Sequence, residues 1–381
     1  MNNMEYKIPL FDLNYDKEEE EIVLRTIRSK WISMGPNVVA LERTFSEHLN
    51  IKNAIAVTNC TAALHLALLV LGIKEGDEVI VPSLTFVATV NAVRYVGATP
   101  VFADITSYED FSIDPIEIET KITDRTKAII VMHYGGFACN MDEIMRIAKK
   151  YNLYVVEDAA HALSAEYKGR KLGTFGDIGC FSFFSNKNIT CAEGGILVTD
   201  NDDYTRKARL LRAHGMTTLS YDRAKGHATD YDLIGLGYNY RMDDIRGSLA
   251  LVQLGKLKTD IDKRAELRKY YCDNLMQIDE IIIPYEEFEH KSSNYIFPIL
   301  LKNGNVEKRN IVRQRLAEAG IQTSVHYPAV HKFSIYQQYE ANLPKTDYVS
   351  VNEITLPMYY SLQVKEVHYI CSTLRNIIRG I

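Results

Sequence analysis

Lys187 stands in an unusual place for a lysine. It follows the apolar, aromatic run Ile178–Phe184 and precedes Glu193-Gly194-Gly195 and a second apolar run, Gly195–Thr199. Most lysines are hydrated surface groups. One held between two buried strands loses hydration, its pKa falls, and it becomes a competent amine nucleophile near neutral pH. Packing against Phe184 is one expected source of that burial, and the two glycines fit a tight turn where Gly tolerates positive φ.

Three more segments carry usable chemistry. In Thr58-Asn59-Cys60-Thr61-Ala62-Ala63-Leu64 a turn feeds straight into a helix, whose free N–H groups and positive dipole end suit a phosphate; Ser182 can donate to the same group. In Val155-Val156-Glu157-Asp158-Ala159-Ala160-His161 a carboxylate closes a buried strand, where it needs a cationic or N–H partner such as a protonated ring nitrogen. His161 follows on the next turn, within reach of such a ring. Gly237-Tyr238-Asn239-Tyr240-Arg241-Met242-Asp243 leads into a long helix. Singly, each has an ordinary explanation: a helix cap by Asn59, Asp158 or Asp243, or a satisfied core histidine. Their order and spacing together favour a shared site.

The elements that position them alternate. Apolar runs at Ala54–Thr58, Glu78–Val81, Pro100–Ala103, Ala128–Met132 and Leu153–Glu157 read as strands. Between them, Thr61–Leu71, Thr85–Val96 and Met141–Tyr151 read as helices. Such an alternation implies an α/β fold with a parallel sheet covered on both faces and a binding site at the carboxyl ends of the strands. Ile178–Phe183 and Gly195–Thr199 add a non-parallel member. After the helical stretch Asp244–Leu275 come a strand at Asn294–Leu301 and helices at Val306–Ala319 and Val364–Ile378, a smaller α+β domain. The expected division is a large domain over 1–255 and a small one over 256–381.

The bulk numbers exclude several classes. At 381 residues and a formal net charge of −5, the chain has room for two cores and no general attraction to nucleic acid. Its six cysteines lack paired metal spacing, so no metal site is expected and reduced thiols in a cytoplasm fit best. The N-terminal residues carry no apolar signal-peptide core, and the longest apolar run, Ala62–Ile73, is far short of the ~20 residues that span a bilayer.

The chain resembles the DegT–DnrJ–StrS family of sugar aminotransferases. The resemblance runs from Trp31-Ile32-Ser33-Met34-Gly35-Pro36 to Leu356-Pro357-Met358-Tyr359. It is most specific through Glu157–Ala162, Lys168-Gly169-Arg170, Gly176-Asp177, Lys187-Asn188-Ile189-Thr190 and Glu193-Gly194-Gly195. It implies a fold-type I, aspartate-aminotransferase-like enzyme with a mostly parallel seven-stranded sheet and pyridoxal 5′-phosphate (PLP) as cofactor. Position by position, it makes Lys187 the Schiff-base lysine and Asp158 the partner of the pyridine nitrogen. It brings His161 to the ring oxygen, stacks Phe86 on the ring, and builds the phosphate cradle from Cys60, Thr61 and Ser182. Asn239 matches a side chain that reaches the partner subunit's cofactor, which implies a homodimer with shared sites. Met34, His326 and Tyr327 fall where relatives meet the substrate. Relatives often carry Gly where Cys60 stands, which puts the shape of that loop in question; those with His in place of Lys187 are dehydratases.

The implied reaction moves an amino group from L-glutamate to a nucleotide-linked keto sugar. Arg212-Ala213-His214-Gly215-Met216, with Tyr221-Asp222-Arg223, Gly226-His227 and Tyr231, looks like the branch that aminates C4 of a 4-keto-6-deoxyhexose; C3 amination of a 3-keto sugar is the alternative. A non-catalytic PLP-binding regulator would take up the cofactor without exchanging it with an amino donor. A dinucleotide-binding protein is disfavoured because no G-x-G-x-x-G follows the first strand.

Overall fold

A computed structural model describes residues 6–217 and 231–381. The apolar runs become β1 (Asn53–Val57), β2 (Glu78–Pro82), β3 (Thr99–Ala103), β4 (Thr126–Met132) and β5 (Tyr154–Asp158). A short hairpin, β6 (Glu166–Tyr167) and β7 (Arg170–Lys171), then leads to β8 (Ile178–Ser182) and β9 (Gly195–Thr199). The seven-stranded sheet has the order β1-β9-β8-β5-β4-β2-β3, and β9 alone runs antiparallel to both its neighbours. Apolar clusters cover both faces, one around Phe45, Ile129 and Phe183, the other around Leu64, Val81 and Leu197. Burial on both sides is why these strands read as continuous apolar runs rather than as alternating ones.

The helix Cys60–Val70 (CTAALHLALLV) is buried along nearly its whole length, having helices or sheet around it. Its start is fixed by Asn59, whose side chain accepts the Ala62 N–H at 2.9 Å. The expected helix at Thr85–Val96 is shorter, Val87–Tyr95, because Phe86 stays extended as its N-cap residue (φ −70°, ψ 143°). That leaves the Phe86 ring at the mouth of the sheet's carboxyl edge.

A second, three-stranded sheet combines β10 (Ile281–Ile282), β11 (Phe297–Leu301) and β12 (Glu353–Leu356). Its core, with Leu267, Phe297, Leu316 and Leu374, also packs the helices Val306–Glu318 and Val364–Arg379. The strand expected from Asn294 begins only at Phe297. Asn294 is left-handed (φ 47°) and Tyr295 gives its N–H to Gly135, so the chain turns before it pairs. One 32-residue helix, Asp244–Leu275, passes through residue 255 without a break. Its Leu254, Leu257 and Ile261 pack in the large core, and its Leu267, Tyr271 and Leu275 pack in the small one. Among the described residues no helix is long and apolar enough to cross a membrane.

Candidate active site

The carboxyl ends of β5 and β8 and the start of the helix Cys60–Val70 open onto one cavity of about 500 Å³. Its wall includes Cys60, Thr61, Phe86, Asp158, His161, Ser182, Lys187, His326 and Tyr327. The structure thus brings together nine of the residues singled out from sequence. It does not bring Met34 or Asn239 there. Met34 is half-buried and packs against the large core, while its carbonyl accepts the Trp31 indole N–H at 3.3 Å. Asn239 is exposed, with a backbone bridge to Ala213. A second cavity, about 560 Å³ and lined by Glu109, Asp110, Glu286, Glu287 and Lys302, offers carboxylates but no sheltered nucleophile, so size alone does not locate the chemistry.

Lys187 lies in the connection between β8 and β9, which is pinned from several sides. Phe183 takes the hydroxyl of Thr190 and the N–H of Cys191 on its carbonyl, and its own N–H goes to Gly194. Phe181 and Phe183 both meet Phe45 edge-on, at 5.2 and 5.7 Å between ring centres; such pairs contribute about 0.5–1.5 kcal/mol each beyond area burial. Asn188 donates to Ser293 O at 3.0 Å and to Asp260 at 3.2 Å. Asp260 in turn pairs with buried Arg264, which also holds the carbonyls of Tyr295 and Met358.

The surroundings of the amine differ from expectation. Phe184 lines the same cavity and is 44% exposed, so it covers the amine only in part. The Lys187 Nζ also sits 4.2 Å from the centre of the Tyr295 ring. Burial brings the ammonium down to about 8, against the opposing pull of Asp158. Gly194 and Gly195 also differ from expectation, since neither has positive φ. They are small because space demands it: a Cβ on Gly195 would lie 2.5 Å from Cys60 N, and one on Gly194 would lie 2.4 Å from Cys191 Sγ.

Asp158 is buried and bound only by neutral groups. Thr89 gives it a hydroxyl hydrogen at 2.7 Å and Ala160 its N–H at 3.2 Å. Burial raises its pKa, while those two hydrogen bonds and the Lys187 charge hold it down. It has no ion-pair partner among the described residues, so the site has room for one cation opposite this carboxylate. Across the cavity, the N–H groups of Cys60 and Thr61 open the helix and find no acceptor among the described residues. Cys60 adopts no left-handed conformation, so the loop does not require glycine and the thiol is tolerated. Burial pushes that thiol well above its usual range, which leaves the backbone as the binding group.

His161 is held neutral by burial and then by the Lys187 charge. Its Nδ1 accepts the Gly135 N–H at 3.3 Å, so Nε2 carries the hydrogen and gives it to the Tyr327 hydroxyl at 2.9 Å. The Tyr327 hydroxyl hydrogen is then free for the cavity. The His161 ring also lies 4.2 Å from that of Tyr295, and Phe86 faces Tyr327 at 6.0 Å. Of the residues tied to the C4-aminating branch, Arg212 is a structural group: it binds Glu42 at 2.5 Å and Ala56 O at 2.7 Å. Tyr221, Asp222, Arg223, Gly226 and His227 lie outside the described residues.

An anion cradle, a buried carboxylate awaiting a cation and a sheltered amine match the phosphate, pyridinium and aldehyde of one PLP molecule, and the residues present fit it. The chain belongs to the DegT/DnrJ/EryC1/StrS aminotransferase family, which it matches over residues 14–375. It is similar to GDP-perosamine synthase of Escherichia coli O157:H7, with 38% identity covering 97% of this chain and 98% of that one. Among solved structures it resembles Spr1654 from Streptococcus pneumoniae in its PMP form (TM-score 0.91, 31% identity, 98% of this chain and 99% of that chain). Helicobacter pylori PseC, an aminotransferase involved in the biosynthesis of pseudoaminic acid, matches with a TM-score of 0.91 and 30% identity over 99% of this chain and all of that one. The protein is a PLP-dependent sugar aminotransferase of fold type I.

Proposed function

We propose that the enzyme transfers the amino group of L-glutamate to C4 of a nucleotide-linked 4-keto-6-deoxyhexose. The observation that carries the assignment of roles is that Lys187, Asp158 and the free N–H groups of Cys60 and Thr61 face one cavity. The C4 choice rests on the likeness of the Arg212–Met216 segment to the C4-aminating branch.

PLP, when bound, supplies an electron sink that makes the proton on the carbon beside the transferred nitrogen removable. Asp158 would hold the pyridinium N–H, and Thr89 keeps that carboxylate oriented. Cys60 and Thr61 N–H groups, with the Ser182 hydroxyl, would hold the phosphate. Phe86 would cover one face of the ring, and the Tyr327 hydroxyl, which accepts from His161 Nε2, would give its own hydrogen to an oxygen of the bound group. Lys187 first holds the cofactor, then its Nζ takes the proton from the α-carbon of the amino donor; on the sugar it returns a proton to the carbon that gains nitrogen. General acid–base help of this kind contributes about 10²–10⁴-fold. The Tyr295 ring keeps water from the amine between these steps.

In solution the reading is a cytoplasmic homodimer. Asn239 is exposed in the single chain, and Leu233, Ile234 and Leu236 beside it are 59%, 60% and 89% exposed, which supports a covering partner. Sedimentation would report the stoichiometry. The activity test is incubation of the PLP form with L-glutamate and a panel of nucleotide-linked 3-keto and 4-keto sugars, read by mass spectrometry. The expected result is a 4-keto sugar that gains an amine. Amination confined to 3-keto sugars overturns the C4 assignment, and no gain of nitrogen by any sugar overturns the substrate class.

A further inference from the structure

His326 reaches the cavity at the end of a chain of groups that the mechanism above leaves unused. Its Nδ1 lies 2.8 Å from Thr355 Oγ1, and Thr355 Oγ1 is hydrogen-bonded to Glu353 Oε1. The second carboxyl oxygen, Glu353 Oε2, accepts the His326 backbone N–H at 2.8 Å. Glu353 and Thr355 stand two residues apart on β12 and are fully buried. The His326 Nε2 has no hydrogen-bond partner among the described residues, and the ring lines the same cavity as Lys187.

The Thr355 hydroxyl has a single hydrogen, so this chain has a direction. With the carboxylate ionised, Thr355 must give its hydrogen to Glu353. Its oxygen then receives the hydrogen on His326 Nδ1, and Nε2 presents a bare lone pair. With the carboxyl protonated at Oε1, Glu353 gives its hydrogen to Thr355, Thr355 gives its own to Nδ1, and Nε2 carries the hydrogen. The two states differ by one proton, which leaves or enters at Nε2 while each hydrogen in the chain shifts by one bond. We propose that Glu353 is a positioning residue that sets, through Thr355, whether His326 offers the cavity a hydrogen-bond acceptor or a donor.

This inference rests on the reading that one cavity serves two substrates in turn. The carboxylate of an amino acid needs a donor there, whereas a sugar hydroxyl can give its hydrogen to an acceptor. The surrounding charges keep both states within reach. Burial lifts Glu353 to about 8, opposed by its bond from Thr355 and by Arg309 and Arg313, which face it from the helix Val306–Glu318. Those guanidinium groups are themselves tied to Ser350 O and Thr323 O. Tyr134 and Tyr327 also face Glu353, and both phenols are raised by burial and stay protonated. On the other side, burial and then Lys187 hold His326 at about 3, so only its tautomer changes. His161 and the Tyr295 ring complete that side.

The test is ¹⁵N NMR of ring-labelled histidine in the PLP-loaded protein, with the His326 signals identified by their loss in His326→Gln. Spectra are taken from two units below to two units above the Glu353 value of about 8. The expected result is a change from Nε2-protonated to Nδ1-protonated imidazole as pH rises, kept in Thr355→Ser and lost in Thr355→Val. In Glu353→Gln the amide oxygen takes the His326 backbone N–H, which turns the NH2 to Thr355 as a donor, so His326 should stay Nε2-protonated throughout. One tautomer across the whole range in the parent, or a change that persists in Thr355→Val, overturns the proposal. As a second readout, the ratio of the parent's KM for L-glutamate to that of Glu353→Gln, which cancels the titration of the donor amine and of Lys187, should rise about tenfold across this range, with a smaller change in the kcat ratio. Complete failure to react with L-glutamate would count against the donor assignment, while the tautomer spectra still decide the role of Glu353.

Discussion

The ε-amine of Lys187 lies over the ring of Tyr295, 4.2 Å from its centre, and this ring is one of the groups that shelter the amine. Burial lowers the ammonium from 10.5 to about 8, so near pH 7 about a tenth of the amine is free to react instead of a few parts in ten thousand. The sign is fixed by the nucleophile being the neutral form: capture of PLP by cofactor-free protein should speed up as pH rises and level off above about 8. In Tyr295→Ala water reaches the amine, and the midpoint of that profile should move up by about a unit or more; in Tyr295→Phe it should stay. Stopped-flow absorbance of PLP uptake measures both.

Lys187→Ala removes the nucleophile and the proton carrier together. The protein should fold and retain PLP only non-covalently, so that borohydride no longer fixes cofactor to the chain. Turnover should fall by at least about 10²–10⁴-fold, the ordinary worth of a positioned acid–base. Mass spectrometry of the treated protein and a steady-state assay provide the check.

Thr89 is expected to matter to the cofactor without touching it. Its hydroxyl is the shortest hydrogen bond to Asp158, at 2.7 Å. Thr89→Val leaves the buried carboxyl with one N–H donor and raises its pKa further, so PLP affinity should fall about tenfold. Asp158→Asn removes the charge itself and should weaken PLP binding by more than Thr89→Val. Fluorescence titration with PLP would rank the two variants, and equal affinity in all three proteins would place the pyridinium partner elsewhere.

Glu353 should leave a mark on stability as well as on catalysis. Its carboxyl rises on folding from 4.5 to about 8, so the native state holds the proton more tightly than the unfolded chain. That contribution is complete below about 4.5 and is lost as pH rises through about 8. Glu353→Gln does not titrate, so its stability relative to the parent should improve by a few kcal/mol between about pH 5 and about pH 9. Urea unfolding at the two pH values measures the difference.

The parallel sheet was legible in the sequence because each strand is buried on both faces and so is written as an uninterrupted apolar run, as at Ile129–Val131 and Val155–Val156. Lys187, Asp158 and Thr61 were legible because each closes or follows such a run. Tyr295 and Thr89 were not. Tyr295 arrives from a turn in front of β11, far along the chain, and contacts from equally distant segments, with Gly135, His161 and Arg264, bring it over the amine. Thr89 sits inside an ordinary helix, and nothing in its neighbours marks the side that meets Asp158. Phe184, three residues before Lys187, does line the cavity, but nothing near it in sequence announces the second ring, Tyr295, that meets the amine. Glu353 and Thr355 alternate in a strand as a half-exposed pair would, yet both are buried.

The unbroken helix Asp244–Leu275 sets a geometric rule for the evolution of this chain. Its 32 residues span about 48 Å, with one end seated in each apolar core. A substitution on its solvent side changes little, but inserting or deleting one residue between Ile261 and Leu267 turns everything beyond by about 100° and swings Tyr271 and Leu275 out of the small core. Arg264 apart, whose guanidinium holds Asp260 and the carbonyls of Tyr295 and Met358, the number of residues between those two positions is therefore under tighter constraint than their identity.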